Sequence, residues 1–345
     1  MSDAVVGDGP KHTGLKHTGL EGDKLEGDRL EGDGPEGGKL EGDGLEEFER
    51  QRGRLFGLAY RLLGSAAEAE DAVQDAYLRW DRADRAQVES PQAWLTKVVT
   101  NLCLNRLALA RTTRERYLGP WLPEPVLTDR GALGPLETVE QRESVSMGVL
   151  VLLETLSPPQ RAVFVLREAF GLPYREIADI LDVDEASARQ LHRRARAHVG
   201  DRRKRFEADK ARRGRIVERF LAAAATGDLD GLVRLLAEDA TAWADGGGRR
   251  AARRPVVGRE RFARYLLGLM DRMRDGSRWT DALEHLDPAE IGLDLAEVNG
   301  EPGVIVHARG AVLLVAVVEV DEDVVTGLQI VLNPAKLRFA AAQRL

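Results

Sequence analysis

The 345-residue chain holds one cysteine, Cys103. That excludes an internal disulfide and any cysteine-based zinc cluster, and it points to a reducing compartment. No apolar stretch approaches the roughly 20 residues a membrane span needs. The N-terminus lacks the basic-then-apolar order of a signal peptide. The expectation is a soluble, cytoplasmic protein with no membrane partner. Motifs for chemistry are missing as well. The segment GPEGGKL only superficially resembles a phosphate-binding loop, because its glycine spacing is wrong and Leu40 stands where a metal-binding Ser or Thr is needed. His192 and His198 are six positions apart rather than four, which does not suit a shared metal on a helix. Neither a cofactor nor a metal is expected.

The charge is unevenly spread. The formal net is -7, yet residues 1–50 carry 14 acidic and 6 basic side chains, leaving 43 against 44 in the rest. The acidity belongs to the tail, where a five-residue repeat (KHTGL KHTGL EGDKL EGDRL EGDGP EGGKL EGDGL) runs from Lys11 to Leu45. A period of five fits neither a helical nor a strand face, and its glycine load makes ordering costly. Residues 1–45 therefore read as a disordered acidic arm.

Residues 46–118 read as helices. Ser65-Ala-Ala-Glu68 forms a capping box ahead of AEDAVQDAYLRW, whose Ala69, Ala72, Val73, Ala76, Tyr77 and Trp80 recur at threes and fours. Ser90-Pro91 supplies an N-cap and first-turn proline for a helix striped by Leu95, Val98 and Leu102, with Lys97, Asn101 and Asn105 on another face. A Pro- and Gly-bearing linker, residues 119–139, contains Trp121-Leu122-Pro123-Glu124-Pro125.

Residues 140–205 are helical again, and Ser157-Pro-Pro-Gln160 opens a helix that Gly171 closes. PYREIADIL, the turn DVD and ASARQLHRRARAHV have the dimensions of a helix-turn-helix. The second helix has an inward seam of Ala188, Leu191, Ala195 and Val199. From Arg189 to Arg215 there are 12 basic and 3 acidic residues. Such a concentration of charge repels itself without a polyanion nearby, and Arg and Gln near the start of the helix suit base edges. The expected partner is DNA.

Residues 206–345 change character. IVERFLAAAA and DGLVRLLAED read as helices, DGGG as a turn and RERFARYLLGLMDRM as a further helix. Four strand-like runs follow: IGLDLAEV, VIVHA, VLLVAVVEV and VVTGLQIVL, with turns at Asn299-Gly300 and Asp321-Glu-Asp323. Helices followed by an antiparallel meander imply an α+β domain.

The segments SAAEAEDAVQDAYLRW and PQAWLTKVVTNLCLNRL together resemble region 2 of extracytoplasmic-function (ECF) sigma factors, and LSPPQRAVFVLREAFGLPYREIADILDVDEASARQLHRRARAHV resembles their region 4. The linker WLPEP, the DGGGR at Asp245 to Arg249 and the NPAKL at Asn333 to Leu337 resemble the subgroup with a SnoaL-like C-terminal extension, a cone of the NTF2-like type. The fold implied is multidomain: an all-α region 2 and a helix-turn-helix region 4, followed by an α+β NTF2-like domain. The function implied is that of a bacterial alternative sigma factor, not itself a catalyst. It would bind core RNA polymerase, recognise -35 and -10 promoter elements and initiate transcription under the control of its own extension.

The resemblance also assigns residues. Asp71, Gln74 and Asp75 would meet the polymerase core. Lys97, Asn101 and Asn105 would grip single-stranded -10 DNA, together with Trp94, which bare sequence reads equally as core. Ser187, Arg189, Gln190, Arg193 and Arg194 would read duplex -35 DNA, with Asp182 at the turn and Asp184 as N-cap where relatives carry Gly and Ser or Thr. Trp121, Leu122, Pro123, Glu124 and Pro125 would contact the extension through Asp245, Gly246, Gly247, Gly248 and Arg249, and through Asn333, Pro334, Lys336 and Leu337. Ala335 stands where an aspartate is typical, which puts any charge pair of that aspartate in doubt. The extension weighs against dependence on a separate anti-sigma protein. Two alternatives stay open: a ligand-sensing DNA-binding repressor, or an enzyme site in the C-terminal cone using Asp239, Asp245, His285 or His307.

Overall fold

The computed structural model describes residues 37–114, 117, 119–131, 133, 141, 144–200, 210–248, 251–274 and 287–344. Three helices open it: α1 (Gly37–Leu63), α2 (Ala66–Asp81) and α3 (Pro91–Arg114). Helix α1 begins inside the pentapeptide repeat, so the expected disorder of residues 1–45 is corrected over Gly37 to Leu45. The physical reason is tertiary. The Gly44 carbonyl accepts a hydrogen bond from Trp80 Nε1 at 2.8 Å, a contact no local period announces. Residues 1–36 lie outside the described residues.

Helix α2 buries Ala66, Ala69, Ala72, Val73, Ala76 and Trp80. Its partly buried Tyr77 meets Phe48 edge-on, with ring centroids 5.0 Å apart. On α3 the buried stripe is Leu95, Val99, Leu102 and Cys103, with Val98 only half-buried. The linker after α3 is buried from Leu122 to Leu127, which is unusual for a connection. It lies between the first bundle and the C-terminal sheet, and Leu127 bridges Val298.

Four further helices follow: α4 (Met147–Leu153), α5 (Pro158–Glu168), α6 (Tyr174–Leu181) and α7 (Glu185–Val199). Ser157 and Gln160 form the expected capping box. Asp182 ends α6 with φ 54°, a left-handed conformation that aspartate adopts more readily than most residues. The hydrophobic core is continuous across α1–α3 and α4–α7. Arg161 is buried at that seam and donates from Nη1 to the Leu62 carbonyl at 2.6 Å. The Arg54 and Arg61 guanidiniums lie 5.1 and 5.5 Å from the Phe170 ring centroid.

The C-terminal domain contains α8 (Lys210–Thr226), α9 (Leu229–Leu235), β1 (Leu236–Asp245), β2 (Val256–Val257) and α10 (Arg259–Arg274). It continues with β3 (Ile291–Val298), β4 (Glu301–Ala308), β5 (Ala311–Asp321), β6 (Val324–Val331) and α11 (Pro334–Arg344). The strand order is β2-β1-β6-β5-β4-β3. Two expectations change here. DGLVRLLAED is not one helix, because its last four residues begin β1, which pairs parallel to β6 and makes the sheet mixed. NPAKL is not merely an exit from the last strand, since it opens α11. Ala240, Ala242 and Ala244 of β1 face a core shared with α8–α10. The other face of the sheet packs on Leu122, Leu127, Met147 and Leu337, which join linker, α4 and α11 in a third core. Each fully buried aliphatic residue there contributes about 1.5–3 kcal/mol.

Candidate nucleic-acid interface

Helix α7 starts at an aspartate cap: Asp184 Oδ1 accepts from Ser187 N at 2.7 Å, and Ser187 Oγ donates to Asp184 Oδ2 at 2.9 Å. These bonds, the backbone one foremost, hold the Asp184 carboxyl below its ordinary value. The inward seam is Ala188, His192, Ala195 and Val199, so His192 replaces the expected Leu191, which is half-buried. His192 Nε2 lies 2.7 Å from Glu168 Oε1, and Nδ1 lies 2.8 Å from the Tyr174 hydroxyl, tying α5, α6 and α7 together. Gln190, Arg193 and Arg194 are exposed. Arg189 is exposed as well, paired with Glu185 at 2.5 Å and lying over Tyr174. Of the five predicted base readers, Ser187 is engaged at the cap and Arg189 with Glu185, while Gln190, Arg193 and Arg194 stand exposed. Farther along the basic stretch, residues 201–209 lie outside the described residues. Arg212 pairs with Asp323 (Nε to Oδ1, 2.8 Å) and Arg213 with buried Glu301 (3.2 Å), so the end of the run meets carboxylates of the C-terminal domain.

On α3, Asn105 is exposed, Asn101 half-buried, and Trp94 half-buried against Trp80 with centroids 5.5 Å apart. Lys97 Nζ donates to the Asp179 carbonyl of α6 at 2.7 Å. One member of this face is therefore committed to the helix-turn-helix unit. On α2, Asp71 and Gln74 are exposed and Asp75 is half-buried. Arg106 of α3 lies 2.7 Å from Asp75 and 3.7 Å from Asp71, partly neutralising the carboxylates that would meet a basic partner.

The linker and the C-terminal domain meet at a buried polar clamp. Asp245 is fully buried. Its Oδ2 accepts from Leu122 N at 2.9 Å and lies 2.7 Å from Lys336 Nζ, while Oδ1 accepts from the Tyr117 hydroxyl and from Gly247 N. Burial and then the Asp245 hydrogen bond push the Tyr117 phenol up. Lys336 Nζ also donates to the Leu122 carbonyl at 2.5 Å and sits 4.0 Å from the Trp121 ring centroid. Asn333 Nδ2 reaches the Tyr117 hydroxyl at 2.9 Å. Gly247 and Gly248 have φ of 56° and 93°, backbone that favours glycine. Gly246 and Leu337 are buried and Pro334 is exposed, while Arg249 lies outside the described residues. Ala335 is exposed, and the charge pair at this motif is made by Lys336 instead.

Two partners were not legible as such. Glu124, inside WLPEP, accepts from the Ser65 hydroxyl at 2.7 Å and from Ala66 N and Ala67 N at 2.9 and 3.1 Å, supplying the capping carboxylate for α2. Asn299, which the sequence marks only as a hairpin turn, is buried with φ 55°. Its Nδ2 donates to the Tyr60 hydroxyl at 2.6 Å and the Val145 carbonyl at 2.8 Å, and its Oδ1 accepts from Val126 N at 3.0 Å. The Tyr60 hydroxyl donates to the Glu124 carbonyl at 2.6 Å. One asparagine thus joins α1, the linker, the start of α4 and the sheet. Among the described residues the candidate acid-base residues of the cone, Asp239, Asp245 and His307, do not converge. Asp239 is exposed, Asp245 belongs to the clamp, and His307 lies 3.3 Å from Asp294. His285 is outside the described residues. Among the described residues no group of three or more His, Cys, Asp or Glu is placed to hold a metal, and no helix is long and apolar enough to cross a membrane.

A bundle joined to a helix-turn-helix, both clamped by a mixed-sheet domain, defines a promoter-recognition protein with a built-in third domain. Residues 48–113 match Sigma-70 region 2, residues 146–199 match Sigma-70 region 4, and residues 217–287 match the SnoaL-like domain. The chain is 40% identical over 294 residues to the ECF RNA polymerase sigma factor SigJ of Mycobacterium tuberculosis, covering 85% of this chain and 92% of that one. It is 29% identical over 288 residues to the probable ECF RNA polymerase sigma factor SigI of the same species, covering 83% and 92%. The crystal structure of M. tuberculosis SigJ aligns with a TM-score of 0.66 at 36% identity, covering 85% of this chain and 98% of that one. The chain belongs to the ECF RNA polymerase sigma factors, whose regions 2 and 4 serve promoter recognition and transcription initiation.

Proposed function

We propose that the protein is a cytoplasmic sigma factor, without catalysis of its own, that stays closed until its C-terminal domain and region 4 release region 2. In the open form Arg189, Gln190, Arg193 and Arg194 would read the -35 duplex, with Ser187 at the cap holding the reading helix at its start. Lys97, Asn101, Asn105 and Trp94 would trap unpaired -10 bases, because amide and ammonium groups suit an extruded base and its backbone. Asp71 and Asp75 would exchange Arg106 for basic residues of core polymerase, with exposed Gln74 contacting it beside them. The observation that carries the reading is the Lys97 bond to the Asp179 carbonyl, which spends a -10-facing group on region 4. The Asp245–Lys336 clamp on the linker would supply restraint from within the chain, which weighs against dependence on a separate anti-sigma protein.

Mechanistically this is a population shift: polymerase and promoter bind the open form better and draw the equilibrium toward it. Run-off transcription with bacterial core polymerase on a promoter library tests it, comparing the wild-type chain with Lys336→Met. Promoter-specific transcripts that increase in the variant support the reading. DNA binding without any transcript from either protein favours a repressor instead.

A further inference from the structure

In the helix-turn-helix, four side chains form a continuous path from the buried seam to the exposed face of α7. His192 Nε2 lies 2.7 Å from Glu168 Oε1 of α5, and the other ring nitrogen, Nδ1, lies 2.8 Å from the Tyr174 hydroxyl at the start of α6. Arg167 sits 4.8 Å from the Tyr174 ring centroid and donates from Nη1 to the Leu172 carbonyl at 2.8 Å, which ties the same ring back to α5. Tyr174 is half-buried against the bundle core and fixed at both its hydroxyl and its ring. On its outer side the ring lies 5.5 Å from the guanidinium carbon of Arg189, an exposed residue of α7.

The two partners of Arg189 act on it differently. Glu185 takes an N–H donor at 2.5 Å, whereas the Tyr174 ring face attracts the charge without consuming a donor. Base reading needs the donors, because an arginine fork recognises a base edge by hydrogen bonds. Glu185 must therefore give way when DNA binds, which costs little for an exposed pair. The contact with Tyr174 survives. We propose that Tyr174 is a positioning residue for -35 recognition: braced by His192 and Glu168, it holds Arg189 in a reading pose and so sets the preference at the one base pair Arg189 contacts. A side chain held in advance loses less freedom on binding. The inference rests on the reading of Arg189 as a base reader.

The test is run-off transcription by the full-length chain with bacterial core polymerase, on barcoded templates randomised over the -35 element, which gives the preference at each position. Arg189→Ala should flatten the preference at one position about tenfold. Tyr174→Leu should flatten it at the same position, and the double variant should lose no more than Arg189→Ala does. Positions read by Gln190 keep their preference, which a general loosening of region 4 would not allow. Tyr174→Phe, which keeps the ring, and Glu185→Gln, which removes the donor-consuming partner, should both stay within about twofold of wild type. Unchanged preference in Tyr174→Leu, additive losses in the double variant, a uniform loss at every position or a collapse in Glu185→Gln overturns the inference. A second measurement does not depend on how Tyr174→Leu folds: the Arg189 Nε proton of the DNA-free wild-type protein should carry a ring-current shift, and its absence also overturns the inference. No change at any position in Arg189→Ala overturns the base-reader assignment itself, and the positioning role falls with it.

Discussion

Lys336 Nζ and Asp245 Oδ2 lie 2.7 Å apart with both side chains buried, one on α11 and the other at the end of β1. Between them they hold both the amide and the carbonyl of Leu122 in the linker. The pair is one of two buried polar centres at this seam, the other being Asn299 with Tyr60.

Removing one member should cost more than removing both. Lys336→Met leaves Asp245 buried without its cation, and such single losses typically cost about 3–5 kcal/mol. The double variant Asp245→Asn/Lys336→Met should recover part of that loss. Urea unfolding of the single and double variants checks this, and additive losses would contradict it.

Asn299→Gly separates backbone strain from hydrogen bonding. Glycine accepts φ 55° freely but loses the contacts to Tyr60, Val145 and Val126, so a destabilisation of roughly 2–4 kcal/mol is expected. Asn299→Ala should be worse, because it adds the left-handed conformation to the same loss. Equal stability of the two variants would show that the backbone conformation costs little.

Glu124→Ala should free the first turn of α2. Loss of its bonds to Ser65, Ala66 and Ala67 predicts destabilisation of about 1–2 kcal/mol, with faster amide exchange at Ala66 and Ala67. Unchanged exchange there would remove the linker glutamate from the cap.

Stability should fall in alkali. Burial pushes the Tyr60 and Tyr117 phenols above their ordinary value. The folded state then keeps protons that the unfolded state releases above pH about 10, so the tyrosine contribution, complete below that pH, declines as pH rises. Tyr60→Phe and Tyr117→Phe should flatten the decline in guanidinium unfolding measured from pH 8 upward (about two units below the phenol value).

On α7, Arg193→Ala and Arg194→Ala should weaken -35 DNA binding about tenfold while leaving the melting temperature unchanged, since both side chains point to solvent. Gln190→Ala should instead relax sequence preference. Competition binding at two salt concentrations distinguishes the two effects.

The sequence by itself determined the parts whose physics is local. The Ser157 capping box, the aspartate cap before α7, the strand β3 and the spacing of the helix-turn-helix follow from residues within a turn or two of each other. What tertiary structure alone decided is where partners are distant in the chain. Leu236–Asp245 carries helical residues at its start, yet it becomes a strand because β6 offers a parallel edge and a core that its alternating alanines fill. Gly37 to Leu45 joins α1 because Trp80 reaches Gly44. His192 displaces Leu191 from the seam because Glu168 and Tyr174 satisfy its ring nitrogens. In the clamp, the residue types of Asp245, Glu124, Asn299 and Lys336 are readable. Their burial is not, because a polar group is tolerated inside a protein only where its partners converge, and apart from Gly247 beside Asp245 those partners lie 57 to 239 residues away along the chain.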